Sequence, residues 1–238
     1  MPEPSRATGN RLLDTLPEPD FDRLKPLVTE EWGEIKQVLL EPGARIQTVH
    51  FPASAVVSVL TGMDDGSGVE IATIGSEGMV GSPLFLGSAF MPRREWAQVQ
   101  VPGGILTMDA SAFGEEAGRE GPFRDIVQRY VQALFSQVSQ QVACNGLHSV
   151  EERCSRWLLL THDRVGSDEF PLTQEFLSQM LGVRRASVTV AAGALQRAGF
   201  IRYRRGQIAL VDREGLEGSS CECYQVIRDE FDRLLGNL

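Results

Sequence analysis

Six arginines lie close together near the C-terminal end of the chain, in a stretch without acidic residues. They are Arg184, Arg185, Arg197, Arg202, Arg204 and Arg205, between Gly182 and Val211. A guanidinium group donates several hydrogen bonds in a planar fork, which suits phosphate oxygens and the paired acceptors on the major-groove edge of guanine. The residue types in this stretch therefore favour nucleic-acid binding over catalysis.

The apolar residues around these arginines predict two helices followed by a hairpin. Thr173 is a predicted N-cap, and the apolar face that follows it is Phe176, Leu177, Met180 and Leu181. Gly182 makes a turn into a second helix over residues 184–196, and Ala198-Gly199 ends that helix. Two β-runs, FIRYR and QIALV, are joined at Arg205-Gly206. This order of elements predicts a winged helix-turn-helix, whose second helix enters the major groove of DNA.

The charge of the whole chain opposes this interpretation, but its distribution supports it. The 238 residues carry a formal net charge of −9. Residues 1–150 hold 11 basic and 19 acidic groups, whereas residues 151–213 hold 10 arginines and 7 acidic groups. A local basic surface can attract DNA even when the total charge is negative. With 42% hydrophobic residues, the chain is expected to fold into about two domains.

A metal-dependent enzyme of the cupin type is the alternative from a different functional class. Such enzymes need clustered histidine and carboxylate ligands, and the β-rich segment contains only His50. The chain also lacks the phosphate-loop, G-x-S-x-G and H-E-x-x-H motifs. We therefore expect no enzymatic activity. No apolar run reaches the length needed to cross a bilayer, so we expect a cytoplasmic protein without membrane contact.

The elements before the arginine-rich stretch predict a β-roll and a long helix. Residues 10–38 indicate short helices, and residues 38–108 form short β-rich runs separated by turn clusters. A long helical pattern begins at Phe123, with an apolar stripe that includes Ile126, Tyr130, Leu134 and Val138. The stripe fits a core helix or a dimer interface. We favour the dimer, because a helix between two domains packs only one face on the roll.

The segments CNGLHSVEERCSRWLL, PLTQEFLSQMLGVRRASVT and LQRAGFIRYRRGQI resemble the C-terminal domain of the cyclic AMP receptor/Fnr (Crp/Fnr) family of transcription regulators. Upstream, NRLLDTLP, VHFPASAVVSVL and VEIATIGSEGMVG look like that family's cyclic-nucleotide-binding-like roll. The resemblance implies an α+β fold: a sensor domain at 1–122, a dimerisation and coupling helix at 123–146, and a winged helix-turn-helix domain with a C-terminal tail at 147–238. It further implies a homodimer on a palindromic operator in double-stranded DNA, and leaves RNA polymerase open as another partner.

The residues expected to contact DNA lie on both helices and on the wing. Arg185 matches the family's base-reading arginine, whereas Ala186 stands where a glutamate is common and offers an apolar contact to a thymine methyl. The operator is therefore expected to differ from the family's usual one. The full predicted set is Thr173, Gln174, Arg184, Arg185, Ala186, Thr189, Arg202, Arg204 and Arg205.

The sensor domain departs from the pattern of members that bind cyclic AMP. Those members resemble one another in a Gly-Glu pair followed by an Arg and a Ser or Thr. Here Gly81 is followed by Ser82, and Arg93-Arg94 by Glu95. We retain Gly81, Ser82, Arg93 and Arg94 as candidate ligand-binding residues but expect no response to cyclic AMP. Another cyclic nucleotide, haem or a redox ligand remains open as effector, and no cofactor is predicted.

The four cysteines do not resemble the cluster of iron-sulfur members, which lies near the N-terminus. None precedes Cys144, and the others are Cys154, Cys221 and Cys223. Cys221 and Cys223 form a C-x-C pair, which is a weak metal signal alone because the other ligands must come from elsewhere. The sequence therefore predicts no metal site.

Overall fold

Two antiparallel sheets form the N-terminal half of the computed structural model, which describes residues 8–236. One sheet has the strand order β2-β6-β4-β5 and the other β1-β7-β3. The strands are β1 (Val28–Gly33), β2 (Val38–Leu40), β3 (Thr48–Pro52), β4 (Val56–Gly62), β5 (Gly68–Ile74), β6 (Glu95–Val101) and β7 (Gly103–Asp109). The β-rich runs of the sequence thus form the predicted roll.

Short helices surround the roll and close its core. They are α1 (Arg11–Asp14), α2 (Glu18–Leu24), the 3-10 turn Lys25–Leu27, α3 (Ser82–Phe85) and α4 (Ala110–Gly118). The ring of Phe113 on α4 packs against those of Phe51 on β3 and Phe123, with centroid distances of 6.5 and 5.9 Å. These three buried aromatic rings join the roll to the helix that follows it.

That helix, α5, spans Pro122–Leu147. Pro122 lies in its first turn, where the missing N–H costs no intrahelical hydrogen bond. One face lies against the roll: the Tyr130 hydroxyl donates to the Met79 carbonyl (2.8 Å), and Gln137 Nε2 donates to the Thr73 carbonyl (3.1 Å). The described part of the chain contains no helix with the length and apolar character needed to cross a bilayer.

The C-terminal half contains α6 (Val150–Val165), β8 (Glu169–Pro171), α7 (Gln174–Leu181), α8 (Arg185–Arg197), β9 (Ile201–Arg204) and β10 (Gln207–Leu210), followed by α9 (Arg213–Gly218) and α10 (Cys223–Leu235). Strands β8, β10 and β9 form a small antiparallel sheet in that order. Ser149 and Glu152 form a reciprocal capping box at the start of α6. Helices α7 and α8 and the wing were predicted from the sequence, whereas β8, α9 and α10 were not.

The predicted dimer stripe on α5 is wrong at Ile126 and Tyr130. Their exposed fractions are 4% and 0%, because both side chains face the roll of their own chain. Leu134 is half-buried and packs against the core of the roll, while Val138 is partly exposed. A second face of α5 is covered by α10, through a contact between Ser136 and Glu230 among others. The predicted stripe therefore contributes mainly to the core of its own chain.

Candidate DNA-binding interface

The pair α7 and α8 has the geometry of a helix-turn-helix. Thr173 Oγ1 accepts a hydrogen bond from the Phe176 backbone N–H (3.1 Å) and caps α7 as predicted. Gly182 ends α7 with a φ of +62°, a left-handed conformation in which glycine carries no steric penalty. Leu177 on α7 and Val188 on α8 are fully buried and hold the two helices together. The sharp turn and this apolar contact fix the direction of α8.

The outer face of α8 is available to a ligand. Arg184, Arg185, Ala186 and Thr189 are all exposed, and Val190 is 69% exposed. Thr189 Oγ1 donates to Gln174 Oε1 (3.0 Å), so the predicted contact residue on α7 is joined to the predicted face of α8. This face combines cationic, hydroxyl and apolar side chains, which are the groups that read base edges in the major groove.

The wing places further arginines beside this face. Strands β9 and β10 pair from Ile201 to Arg204, and Arg205 and Gly206 turn between them with φ values of +51° and +78°. Arg204 and Arg205 are exposed. Arg202 is exposed as well, but its guanidinium lies 3.4 Å from the Glu169 carboxylate. Arg204 and Arg205 are therefore freer to meet phosphates than Arg202.

The interior of the wing is fixed by Tyr203. Its hydroxyl donates to the Leu172 carbonyl (2.6 Å), and its backbone N–H donates to Gln196 Oε1 on α8 (2.9 Å). Partial burial raises the pKa of Tyr203 to about 12, so the hydroxyl keeps the proton that it donates. These contacts hold the wing at a defined angle to α8.

A buried carboxylate, which was not predicted from the sequence, connects the winged half of the chain to the roll. Glu70 on β5 accepts hydrogen bonds from Trp157 Nε1 on α6 (2.8 Å), from Thr73 (2.8 Å) and from Ser58. Burial raises the pKa of Glu70, although these hydrogen bonds oppose the shift. An acidic residue inside the apolar run VEIATI was the available signal, since such a residue needs buried partners.

Two further polar contacts lie along α6. Arg164 Nε donates to Glu77 Oε1 (2.8 Å), with side-chain exposures of 7% and 3%, and Gln100 Nε2 donates to Thr161 Oγ1 (3.1 Å). The roll also reaches the DNA-facing turn itself, because a Cβ at Gly182 would lie 2.8 Å from Val69. Strand β5 therefore contacts the turn that precedes α8.

The four candidate ligand residues of the roll are not brought into one enclosed site. Gly81 has a φ of +119° and precedes α3, whose first residue is Ser82. Arg93 and Arg94 are exposed, and Arg94 forms a surface ion pair with Asp64 (2.7 Å). Within residues 8–236, no hydrogen bond or ion pair joins either arginine to Gly81 or Ser82.

Comparison with known proteins identifies the winged segment. The profile of the Crp-like helix-turn-helix domain matches residues 152–218, which run from α6 to α9. A comparison with curated protein sequences finds no match.

Solved structures share the architecture of nearly the whole chain. A transcriptional regulator of the Crp/Fnr family from Eubacterium rectale superposes with a TM-score of 0.67 at 15% identity, covering 87% of this chain and 96% of the other. A CRP-family regulator from Thermus thermophilus gives a TM-score of 0.67 at 19% identity, with coverages of 81% and 99%. A c-di-GMP-responsive regulator from Xanthomonas campestris gives 0.60 at 15% identity, with coverages of 82% and 99%. At these identities the likeness is one of fold.

Proposed function

We propose that the chain is a transcription regulator of the Crp/Fnr type, which acts as a homodimer and reads a palindromic operator through α8 and the wing. The observation that carries the proposal is the exposed face of Arg185, Ala186 and Thr189, flanked by Arg204 and Arg205 on the wing. In this proposal residues 1–122 sense a signal, 123–146 dimerise and couple, and 147–238 bind DNA. Residues 1–7 and 237–238 of these ranges lie outside the described part of the chain.

The contacts to DNA divide into two kinds. Arg185, at the first position of α8, reads a guanine through two parallel hydrogen bonds, and Ala186 and Thr189 contact neighbouring bases. Thr173, Gln174, Arg184, Arg202, Arg204 and Arg205 position the domain on phosphates. Phosphate contacts supply affinity without sequence information, so specificity depends on the α8 face.

The dimer is formed by a face of α5 rotated away from the stripe that the sequence suggested. Val131, Phe135, Val138 and Val142 follow one another at spacings of four, three and four residues, as in the seam of a coiled coil. Phe135 and Val142 are 72% and 69% exposed in the single chain. Phe135 and Val142 leave most of this face uncovered in the single chain, although Val131 also packs against the core, so two copies can pair along it.

The proposal includes a sensor domain that does not respond to cyclic AMP. The support is the exposed position of Arg93 and Arg94, together with the ion pair that already occupies Arg94. A cyclic phosphate diester needs a guanidinium aimed into an enclosed site, and an exposed surface pair contributes little. Titration calorimetry with cyclic AMP is expected to show no binding at micromolar concentration; binding coupled to tighter DNA association would contradict this part.

The experiment for the DNA-reading role compares Arg185→Ala with Arg197→Ala, which removes an exposed arginine from the opposite end of α8. Each variant is titrated with its selected operator and with random duplex DNA at several salt concentrations. Arg185→Ala is expected to lose about 1–3 kcal/mol on the operator and much less on random DNA. Arg197→Ala, which lies outside the proposed contact set, should change binding to both duplexes little. Equal losses on both duplexes for Arg185→Ala would show that it is only a phosphate contact.

A further inference from the structure

Three cysteines and one histidine meet where the long helix ends and the DNA-binding half begins. Cys144 and His148 lie one turn apart at the C-terminal end of α5, while Cys221 and Cys223 lie at the start of α10. The three sulfur atoms and one imidazole nitrogen all lie within 4.8 Å of one another. All three cysteines are buried and unoxidised. The fold thus supplies the missing ligands of the C-x-C pair from residues more than 70 positions earlier.

We propose that these four residues bind a single divalent metal ion of the zinc type in a tetrahedral Cys₃His site. With metal–sulfur bonds of about 2.3 Å, a tetrahedral ion holds two sulfur ligands about 3.8 Å apart. Cys144 Sγ and Cys221 Sγ are 3.5 Å apart, and Cys223 Sγ is 3.4 Å from His148 Nδ1. A multinuclear iron-sulfur cluster separates its thiolates further, because more than one iron stands between them. The spacing therefore fits one ion.

The surroundings of His148 match those of a metal-bound imidazole. Its Nδ1 faces Cys223, and its other nitrogen, Nε2, lies 3.2 Å from the Glu222 carboxylate. Metal-bound histidines commonly donate their remote N–H to a carboxylate, which orients the ring and fixes the tautomer. Gln140 Nε2 also donates to Cys223 Sγ at 3.0 Å, a hydrogen bond that stabilises a thiolate. Two of the four candidate ligands are therefore oriented by polar contacts to neighbouring side chains.

The charge around the set favours three thiolates bound to a dication. Such a centre carries a net charge of −1, because the three thiol protons leave for solvent when the metal binds. Arg153 and Arg156 on α6 are buried, and both interact electrostatically with Cys144. Nε of each guanidinium lacks a hydrogen-bond partner among the described residues, and a buried cation in that state needs nearby negative charge. The anionic centre provides it for Arg153, whereas Arg156 also interacts electrostatically with the buried Glu70.

The position of the ion defines its effect on the fold. Only His148 and Ser149 separate α5 from α6, so the site lies at the junction between the dimerisation helix and the winged domain. The ion joins the end of α5 to the start of α10 across this junction. Four ligands from two helices make the site a structural cross-link that is expected to raise the thermal stability of the whole chain.

The test uses the full chain, purified under reducing conditions without a metal-affinity tag. Elemental analysis is expected to find about one zinc per chain after dialysis, and Co²⁺ added to the stripped protein is expected to give the absorption of a tetrahedral thiolate site. Cys223→Ser and His148→Gln should each weaken Co²⁺ binding by more than about 100-fold, since loss of an outer-layer contact already costs about 10–100-fold. Cys154→Ala, which removes a buried thiol on α6 outside the set, should bind as the parent chain does.

His148→Gln also guards against variants that do not fold, because this side chain is 16% exposed, unlike the buried cysteines, and its loss leaves the three thiols in place. Chelation is expected to lower the melting temperature of the parent and of Cys154→Ala, with a much smaller effect on His148→Gln. The proposal is overturned if the reduced chain takes up no Co²⁺, or if all variants bind Co²⁺ equally. It is also overturned if the purified protein contains iron and inorganic sulfide, or a Cys144–Cys221 disulfide, instead of zinc.

Discussion

Replacing Phe135 with alanine is expected to weaken the dimer without unfolding the chain. The side chain is 72% exposed in the single chain, so its removal leaves the core of the roll untouched. Full burial of a phenylalanine side chain contributes about 1.5–3 kcal/mol. Because most of this side chain is still exposed, its burial on pairing is expected to contribute roughly 1.6 kcal/mol in each copy. Both copies contribute across a two-fold axis, which brings the expected loss to about 3 kcal/mol. The dimer dissociation constant should rise by about two orders of magnitude.

Sedimentation equilibrium over a range of protein concentrations measures this constant directly. Trp32→Ala is the matched control, because Trp32 is 63% exposed but lies on β1 outside the α5 stripe, and it should leave the constant unchanged. Circular dichroism verifies that both variants keep their helices. If Phe135→Ala dimerises as tightly as the parent chain, or if the parent is a monomer at micromolar concentration, the proposed seam is wrong.

Three other predictions follow from single residues. Burial lowers the pKa of His50 to about 4, below about 6.5 in an unfolded chain, so its contribution to stability is present above pH 6.5 and is lost as the pH falls towards 4. Between pH 7 and pH 5, the free energy of unfolding measured in urea should fall by about 2 kcal/mol more in the parent chain than in His50→Leu. Equal decreases in the two chains would contradict the assignment. Thr173→Ala should cost about 1 kcal/mol in free energy of unfolding by removing the α7 cap, while Thr173→Ser should cost little, and a similar cost for both would point to the methyl group. Arg204→Ala should lower the salt slope of DNA binding by about one unit, and Arg202→Ala by less, because Glu169 already pairs with Arg202; the reverse order would place Arg202 on the phosphate.

The helix-turn-helix could be predicted because its signals are local. Thr173 and Gly182 mark the two ends of α7, and the second helix begins at Arg185, within one residue of the expected position. Strand β8 was missed because its three residues, Glu169–Pro171, gain their structure from pairing with β10 rather than from their own pattern. Short strands of this kind depend on tertiary contacts.

The dimer stripe was misassigned because periodicity shows that a face is apolar but not what covers it. Helix α5 has apolar residues on two faces, and Tyr130 belongs to the one that meets the roll. The chain after Arg213 was treated as a tail, although Tyr224, Ile227, Phe231 and Leu234 recur at helical spacing. That pattern was sufficient to predict α10 and its need for a partner helix.

The contacts between the two halves lay beyond sequence reasoning altogether. Glu70 and Trp157 are separated by 87 positions, as are Glu77 and Arg164, and nothing near either residue indicates its partner. The same holds for Cys144 and Cys221, separated by 77 positions. A single sequence shows the residue types that such contacts need, whereas the fold decides which of them meet.

Selection of bound sequences from a pool of random duplexes is the most direct test of the central claim, that this chain reads DNA as a two-fold dimer. We expect an enriched inverted repeat whose half-sites are centred about one helical turn apart, with a guanine in each half-site whose preference disappears in Arg185→Ala. Enrichment of a single unrepeated half-site would contradict the dimer. A pool that stays random, with binding that depends only on salt, would contradict sequence-specific recognition itself.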